Sequence, residues 1–377
     1  MLKIGTLSVN VNTDDLNHGA VLHSWAFQRY LQKTYECDVE IIDYTTPNLY
    51  GKDLKHPVSS LIQQKKYRSA LVALASAGSY KKRYDKFQKF KNEHMKMSTV
   101  RYSRDSLNHA DLKYDIVICE SDVIWTPNKR FGGDFDPTFF LALDSMKDKK
   151  RIAYAPSMGN LTFTQEETAR FKDLIKNVDS VSCREEYASD FVRDTCGIPV
   201  ETVVDPVLLL DAEDYKGIEA ERLIKEPYLL LYAPLEYNLD FIKFADRYGK
   251  EHGLKVVELS RYAFDSVFHK TISYAGIGEF LSLIKHADMI FCNSFHGVCF
   301  SVIYQKQFFA FGRPSGRKYE EFCGRLGLQD RFMRSVDKDT ILDNSDIDYH
   351  EVSERLNEMI RVSKDYLQRT IMEEVLR

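Results

Sequence analysis

Short apolar runs alternate with longer stretches of helical spacing along most of the chain. Apolar runs predict strands in the first half at 3–9, 39–44, 114–121, 151–157, 178–185 and 200–210. Helical spacing predicts helices at 19–35, 166–176 and 186–195, and residues 50–100 are predicted to be helical and basic. Strands that alternate with helices in this way favour a parallel sheet with helices on both faces.

The same alternation starts again after a charged stretch at 211–227, which we interpret as a linker. Strands are predicted at 228–234, 255–260, 288–294 and 307–312, and helices at 239–252, 277–286 and 296–304. The predicted fold class is α/β, with two doubly wound Rossmann-like domains facing a cleft. The expected domains are 1–215 with a basic helical insertion at 50–100, then 225–345, and a C-terminal helix at 347–377.

Composition favours a soluble protein large enough for two cores. The chain has 377 residues, of which 44% are hydrophobic and 29% are charged. It has no apolar run of the roughly 18 residues that span a membrane, and its first residues lack a signal-peptide core. The seven cysteines include no CxxC pair. We therefore expect a cytoplasmic protein whose cysteines are small core residues in a reducing compartment.

Charge is unevenly distributed along the chain. The net charge is −4, yet the segment 65–96 contains ten Lys and Arg residues against only Asp85 and Glu93. This basic segment is either a solvated helical hairpin or a surface for an anionic membrane, a phosphorylated substrate or nucleic acid. Nucleic acid is the least favoured partner, because the rest of the chain is acidic.

Polar residues follow the predicted strands, where parallel sheets bind their ligands. The polar segments at these strand ends are 17–19, 120–125, 156–159, 183–186, 205–206 and 293–297. They contain Asn17 and Gly19 in "NHG", Asp122 and Trp125 in "ESDVIW", Arg184 in "CREE", the turn Asp205–Pro206, and "NSFHG" with Ser294, His296 and Gly297.

Three of these residues have both a structural and a functional interpretation. Arg184 suits a surface ion pair with Glu185 or Glu186, or a two-pronged clamp on a carboxylate or phosphate. Asp122 suits a helix cap, or a base that orients a sugar hydroxyl while Trp125 stacks on the sugar ring.

The segment 293–297 raises the same choice for His296. Ser294 is a good N-cap, which places His296 and Gly297 in the first turn of a helix whose positive end favours an anion. His296 is then either a core histidine bonded to backbone or a general acid. Arg317, in the basic segment 313–322 after the next strand, suits a phosphate ligand or a solvated loop.

Taken in order, these segments resemble the polysaccharide pyruvyl transferase family. The matching stretches are "NHGAVLHSWAFQRYL", "SDVIW", "RIAYAPSMG", "SCREEYASDFV", "VVDPVLLL", "NSFHGVCFSVIYQKQFFAF" and "RKYEEFCGRLGLQDR". They cover about residues 3–335, and their order and spacing make the match specific. The resemblance implies a fold similar to GT-B glycosyltransferases, with the acceptor on the N-terminal domain and the donor on the C-terminal domain.

The resemblance also implies an activity and residue roles. The donor is phosphoenolpyruvate, the acceptor is a saccharide, and the product is a pyruvate ketal in bacterial surface polysaccharide biosynthesis, such as a capsule or exopolysaccharide. The family roles carried over make His296 the acid–base candidate and Arg184 a ligand of the donor. Our reading of the residues adds Asp122 as a base on the acceptor side, and Ser294, Gly297 and Arg317 as further donor-binding residues. It assigns acceptor binding to Asn17, Gly19 and Trp125.

Several positions depart from the family pattern. Some members carry "RLHG" where this chain has "SFHG", so Ser294 stands in place of a donor-binding Arg, and Arg317 is the first candidate to replace that charge. Glu120 and Val123 differ from the commoner "GSDQVWNP" form. His18 and His23 stand where an aromatic residue and Gln are common. We interpret these changes as signs of a different acceptor.

The chemistry requires no cofactor, and the sequence shows no metal-ligand spacing. Expected partners are phosphoenolpyruvate and a saccharide, free or linked to polyprenyl diphosphate, with no nucleic acid. For a lipid-linked acceptor, we expect peripheral contact of 65–96 with the inner face of the membrane. The alternatives are a nucleotide-sugar glycosyltransferase of the same architecture and a non-catalytic saccharide-binding assembly subunit.

Overall fold

A computed structural model describes all residues except 10–15, 64, 66, 160–161, 235–238, 261–268, 313–316, 337–339, 344 and 376–377. The chain forms two compact units. Unit 1 comprises Met1–Gly51, Lys91–Leu210 and Leu356–Arg377, and unit 2 comprises Lys52–Phe90 and Asp211–Arg355.

Unit 1 is built on a seven-stranded sheet in the order β3-β2-β1-β4-β5-β6-β7, in which every strand pair is parallel. The strands are β1 Lys3–Leu7, β2 Asp38–Tyr44, β3 Met97–Tyr102, β4 Ile116–Glu120, β5 Lys150–Tyr154, β6 Ser180–Cys183 and β7 Glu201–Thr202. The strand order reverses between β1 and β4, which is the switch point where ligands of doubly wound sheets bind.

Unit 2 repeats this topology with six strands in the order β10-β9-β8-β11-β12-β13, again all parallel. The strands are β8 Tyr228–Tyr232, β9 Lys255–Leu259, β10 Lys270–Ile272, β11 Met289–Cys292, β12 Phe308–Phe311 and β13 Phe332–Met333. The switch point of this sheet lies between β8 and β11.

Thirteen α-helices accompany these strands among the described residues. They are α1 His18–Tyr35, α2 Pro57–Gln63, α3 Tyr67–Ala75, α4 Ala77–His94, α5 Arg104–Asn108, α6 Gln165–Ile175, α7 Glu186–Cys196, α8 Ala212–Tyr215, α9 Leu239–Glu251, α10 Ile277–Lys285, α11 Phe295–Ile303, α12 Arg317–Arg325 and α13 Tyr349–Val375. None of the helices in the described ranges is long and apolar enough to cross a membrane.

The predicted alternation is confirmed for most elements, and the exceptions have physical reasons. The run at 200–210 forms only the two-residue strand β7, because Asp205 and Pro206 start a 3₁₀ turn at Pro206–Leu209. Strands β3, β10 and β13 were not predicted. They lie at or near the sheet edges and are short or partly exposed, so they lack a continuous apolar run.

The units differ from the expected domain bounds in two places. Residues 52–90 of the basic insertion belong to unit 2, where Lys86 forms an ion pair with Glu279 and Arg83 Nη1 lies 3.5 Å from the Ser260 carbonyl. The last part of α13 belongs to unit 1, where the Tyr366 hydroxyl donates to the Ala153 carbonyl over 3.0 Å. Most of the insertion expected in the N-terminal domain therefore belongs to unit 2, and the end of the C-terminal helix, expected as a separate element, belongs to unit 1.

Candidate functional site

His296 lies at the switch point of the unit 2 sheet, in the first turn of α11 directly after β11. Ser294 is the N-cap of this helix, and its hydroxyl accepts from the Gly297 N–H over 3.4 Å. The cap predicted from the sequence is therefore confirmed. His296 is 8% exposed and its ring meets the Phe295 ring edge to face, with centroids 5.6 Å apart. The imidazole thus sits at a helix start whose partial positive charge favours anions.

Gly297 has a structural reason to be glycine. A Cβ at this position would lie 3.1 Å from Tyr232 Cδ1 and 3.2 Å from the side chain of Cys292. Tyr232 and Cys292 end the two strands that flank the switch point, so a larger residue would push α11 away from the sheet. Gly297 thereby keeps the start of α11 close to the strand ends.

Arg317 is the first residue of α12, and its side chain is exposed. This helix follows β12, the parallel neighbour of β11, so α11 and α12 begin at the same edge of the sheet. The Phe295 and Phe322 rings, with centroids 5.4 Å apart, hold the two helices together. The structure therefore places Arg317 on the same edge as His296, while residues 313–316 lie outside the described part.

Asp122 lies at the switch point of unit 1, in a turn of unusual backbone geometry. Ser121 and Asp122 follow β4 with φ values of 46° and 54°, and Ala155 after the neighbouring β5 has a φ of 57°. Positive φ costs free energy for residues other than glycine and is often found at functional sites. The Asp122 carboxylate accepts from the Val123 N–H over 2.6 Å, and no helix starts here, so the helix-cap alternative is wrong.

Arg184 forms a buried ion cluster with Ser121, Glu185 and Asp205, which we call the Arg184 cluster. Its Nη1 donates to Asp205 Oδ2 over 2.8 Å, and its Nε donates to Glu185 Oε1 over 3.0 Å. The Ser121 hydroxyl donates to the same Asp205 oxygen over 2.7 Å. Burial opposes the positive charge, but the two carboxylates outweigh it and raise the pKa of Arg184. The ion pair with Glu185 is thus present, but buried rather than at the surface.

A second buried pair in unit 1 joins α1 to the end of β4. His23 Nδ1 lies 2.7 Å from Glu120 Oε2, and the Ser24 hydroxyl donates to Glu120 Oε1 over 2.6 Å. Burial raises the pKa of Glu120 even though His23 and Ser24 favour its ionised form. Burial opposes protonation of His23, but the charge and hydrogen bond of Glu120 overcome it and raise the pKa of His23. The pKa of each member of the pair is therefore higher in the folded protein than in water.

The three predicted acceptor residues are placed in different surroundings. Asn17 caps α1, since its side chain accepts from the Ala20 N–H over 3.3 Å, and Gly19 is buried in the first turn of that helix. Trp125 is fully buried, stacks on Phe140 at 5.3 Å, and donates from Nε1 to the Phe139 carbonyl over 2.9 Å. The predicted stacking of Trp125 on a sugar is wrong, because both the ring and its polar atom are used within the core.

The structure unites in unit 1 the predicted residues Arg184 and Asp205, and in unit 2 Ser294, His296 and Gly297. The sequence analysis named His23 and Glu120 separately, as departures from a family pattern, and did not predict that they are in contact. Their contact joins residues 97 positions apart, and local periodicity carries no signal for such a pair. In the described ranges, no group of three or more His, Cys, Asp or Glu side chains is arranged to hold a metal ion.

In a comparison with protein families, the chain matches the model described as polysaccharide pyruvyl transferase. It aligns with residues 17–315, which include the α1 start, the turn at Asp122, the Arg184 cluster and the start of α11. Among curated proteins, no sequence matches this chain significantly.

Solved structures of similar fold include several UDP-GlcNAc 2-epimerases. The enzyme of Methanocaldococcus jannaschii, in complex with UDP-GlcNAc and UDP, is 14% identical, with 96% of this chain and 93% of that chain covered and a TM-score of 0.51. The enzyme of Neisseria meningitidis bound to UDP-GlcNAc is 11% identical, with coverage of 100% and 99% and a TM-score of 0.52. A further UDP-N-acetylglucosamine 2-epimerase is 12% identical, with coverage of 100% and 97% and a TM-score of 0.54. At these identities the likeness concerns the fold alone, and it confirms the predicted GT-B-like class of two Rossmann-like domains.

Proposed function

The chain belongs to the polysaccharide pyruvyl transferase family, and on this premise we propose that it transfers pyruvate from phosphoenolpyruvate to two hydroxyls of a lipid-linked saccharide. The product is a cyclic pyruvate ketal on a building block of a bacterial surface polysaccharide. The observation that carries this proposal is the position of His296, in the first turn of α11 at the switch point of unit 2.

The reaction balances with one proton donor and two proton acceptors. An acid protonates C3 of phosphoenolpyruvate, which leaves C2 cationic, and one sugar hydroxyl adds to C2 and loses its proton. Phosphate then leaves with the C2–O bond electrons, and the second hydroxyl attacks C2 and loses its proton to close the ring. The net change forms two C–O bonds and the C3–H bond, and it breaks the C2–C3 π bond and the C2–O bond to phosphate, with no net oxidation or reduction. Of the two protons lost by the hydroxyls, one makes up for the proton given to C3 and the other leaves with phosphate.

His296 is the proposed acid for C3. Its imidazole is nearly buried beside the start of α11, where water is largely excluded and a proton can be delivered to a fixed point. We propose that the positive end of α11 and the exposed Arg317, at the start of α12, attract the carboxylate and the phosphate of the donor. Ser294 and Gly297 contribute by fixing the position of this helix start.

Asp122 is the proposed base on the acceptor side. Its carboxylate is half-buried at the switch point of unit 1, on a backbone held at positive φ. A rigid carboxylate there accepts a hydroxyl proton without reorganising first. Asn17 and Gly19, at the start of α1, the helix that follows β1, are the proposed acceptor contacts.

The test is to incubate the protein with phosphoenolpyruvate and a set of polyprenyl-diphosphate-linked saccharides, then to measure phosphate release and product mass. The expected result is one phosphate per ketal formed on one acceptor. Thermal shift supplies a second reading, because a ligand of the folded state raises Tm. Stabilisation by nucleotide sugars and not by phosphoenolpyruvate would instead indicate a glycosyltransferase. Acceptor binding without phosphate release would indicate a saccharide-binding assembly subunit.

A further inference from the structure

The hairpin of α2 and α3 in unit 2 carries four exposed large apolar side chains. Tyr67, Leu71 and Leu74 follow one another at helical spacing on α3, and they are 62%, 67% and 61% exposed. Ile62, near the end of α2, is 50% exposed. We call these four side chains the apolar stripe. They are four of the ten large hydrophobic side chains that are exposed in the described part of the chain, and they lie within 13 residues. Such concentration marks a surface that meets a partner.

Three exposed lysines lie close to this stripe along the chain, and the first exposed acid after them is Asp85, on α4. Lys65 lies between α2 and α3, and Lys81 and Lys82 lie on α4, which follows α3 directly; all three are exposed. The charge that reaches the surface is smaller than the sequence suggests, because Arg83 and Lys91 are buried and Lys86 is paired with Glu279. Lys66 and the side chain of Arg68 lie outside the described part.

We propose that the apolar stripe and the lysines beside it dock unit 2 on the surface of an anionic phospholipid bilayer. Apolar side chains at helical spacing enter the boundary between headgroups and acyl chains, while flanking lysines attract the anionic headgroups. An apolar protein partner would not require the exposed lysines. The helices α2 and α3 have seven and nine residues, too few to cross a bilayer, so the proposed contact is peripheral.

This inference rests on the proposed function only for its purpose, since a lipid-linked acceptor is reached at a membrane surface. Vesicle binding needs neither donor nor acceptor, so the two proposals fail independently. If the chain binds vesicles but transfers no pyruvate, the membrane-docking proposal holds and the proposed function fails. If it transfers pyruvate to soluble acceptors without binding vesicles, the proposed function holds and the membrane-docking proposal fails.

The experiment is co-sedimentation of the full chain with vesicles of phosphatidylcholine alone and of phosphatidylcholine with phosphatidylglycerol. We expect binding only to the anionic vesicles, weakened by salt. The paired substitutions Leu71→Ser with Leu74→Ser, and Lys81→Glu with Lys82→Glu, should each weaken binding about tenfold or more. Leu71→Gln alone is a milder variant, and unchanged circular dichroism and Tm confirm that each variant folds.

Matched controls come from the same unit. Leu239→Ser removes an exposed leucine at the start of α9, and Lys225→Glu with Lys250→Glu reverses two exposed lysines that are distant from the hairpin in sequence. Both controls should bind as the wild type does. Absence of binding to anionic vesicles overturns the proposal, as does equal loss in test and control variants. A chain that is dimeric by light scattering and becomes monomeric in the Leu71 and Leu74 variant, without binding vesicles, would assign the stripe to self-association instead.

Discussion

His23 and Glu120 form a buried pair, with His23 Nδ1 2.7 Å from Glu120 Oε2 and both side chains inaccessible to solvent. The two residues lie 97 positions apart in the sequence, and the fold brings them into contact. The histidine and the carboxylate are hydrogen-bond partners at the end of β4, next to the turn that carries Asp122.

The pair should show strong energetic coupling. His23→Ala leaves Glu120 buried with only Ser24 as partner, so we expect the free energy of unfolding to fall by about 3–5 kcal/mol. Replacing both members, by His23→Gln with Glu120→Gln, leaves no buried charge and should cost much less than the two single changes together. Urea unfolding of the four proteins measures this, and additive losses would show that the pair is not coupled.

The same pair should make stability depend on pH. The pKa of Glu120 is raised above its ordinary 4.5 and that of His23 above its ordinary 6.5, so the folded state binds more protons than the unfolded state. The stabilisation is therefore complete at low pH and is lost as pH rises through the raised values, starting above 4.5 and continuing past 6.5. The difference in unfolding free energy between wild type and the double Gln variant should shrink across this window, and a constant difference would contradict the account.

Arg184 and Asp205 can be tested as a matched pair, since both belong to the Arg184 cluster. Arg184→Lys and Asp205→Asn should each lower the free energy of unfolding by a few kcal/mol, because each leaves a buried charge with too few partners. The family resemblance implies that Arg184 also binds the donor, and this role predicts that only Arg184→Lys weakens phosphoenolpyruvate binding in calorimetry. Equal donor affinity in both variants would confine Arg184 to the cluster.

Trp125 should matter for stability and not for the acceptor. Trp125→Ala opens a cavity among Phe139, Phe140 and Phe171, and we expect a loss of about 3–5 kcal/mol. Trp125→Phe keeps most of the packing, so its KM for the acceptor should equal that of the wild type. A raised acceptor KM in Trp125→Phe, with kcat unchanged, would restore the stacking role.

The sequence was sufficient for what depends on local pattern. The alternation of strands and helices predicted two Rossmann-like sheets, and the cap preference of Ser294 placed His296 at the start of α11. It could not show that Trp125 is enclosed by aromatic rings from 140 and 171, or that His23 reaches Glu120, because these contacts join distant segments. For the same reason, the sequence did not predict that residues 52–90 belong to unit 2.

The central claim is that His296 delivers the proton to the donor, and single-turnover and steady-state assays of His296→Gln test it most directly. The matched control is His286→Gln, which changes a half-buried histidine of the same unit that lies ahead of β11, at the opposite end of that strand. We predict that His296→Gln lowers kcat by about 10²–10⁴-fold while the Tm and phosphoenolpyruvate affinity stay near those of the wild type, and that His286→Gln retains activity. A His296→Gln protein that turns over at the wild-type rate would contradict the account.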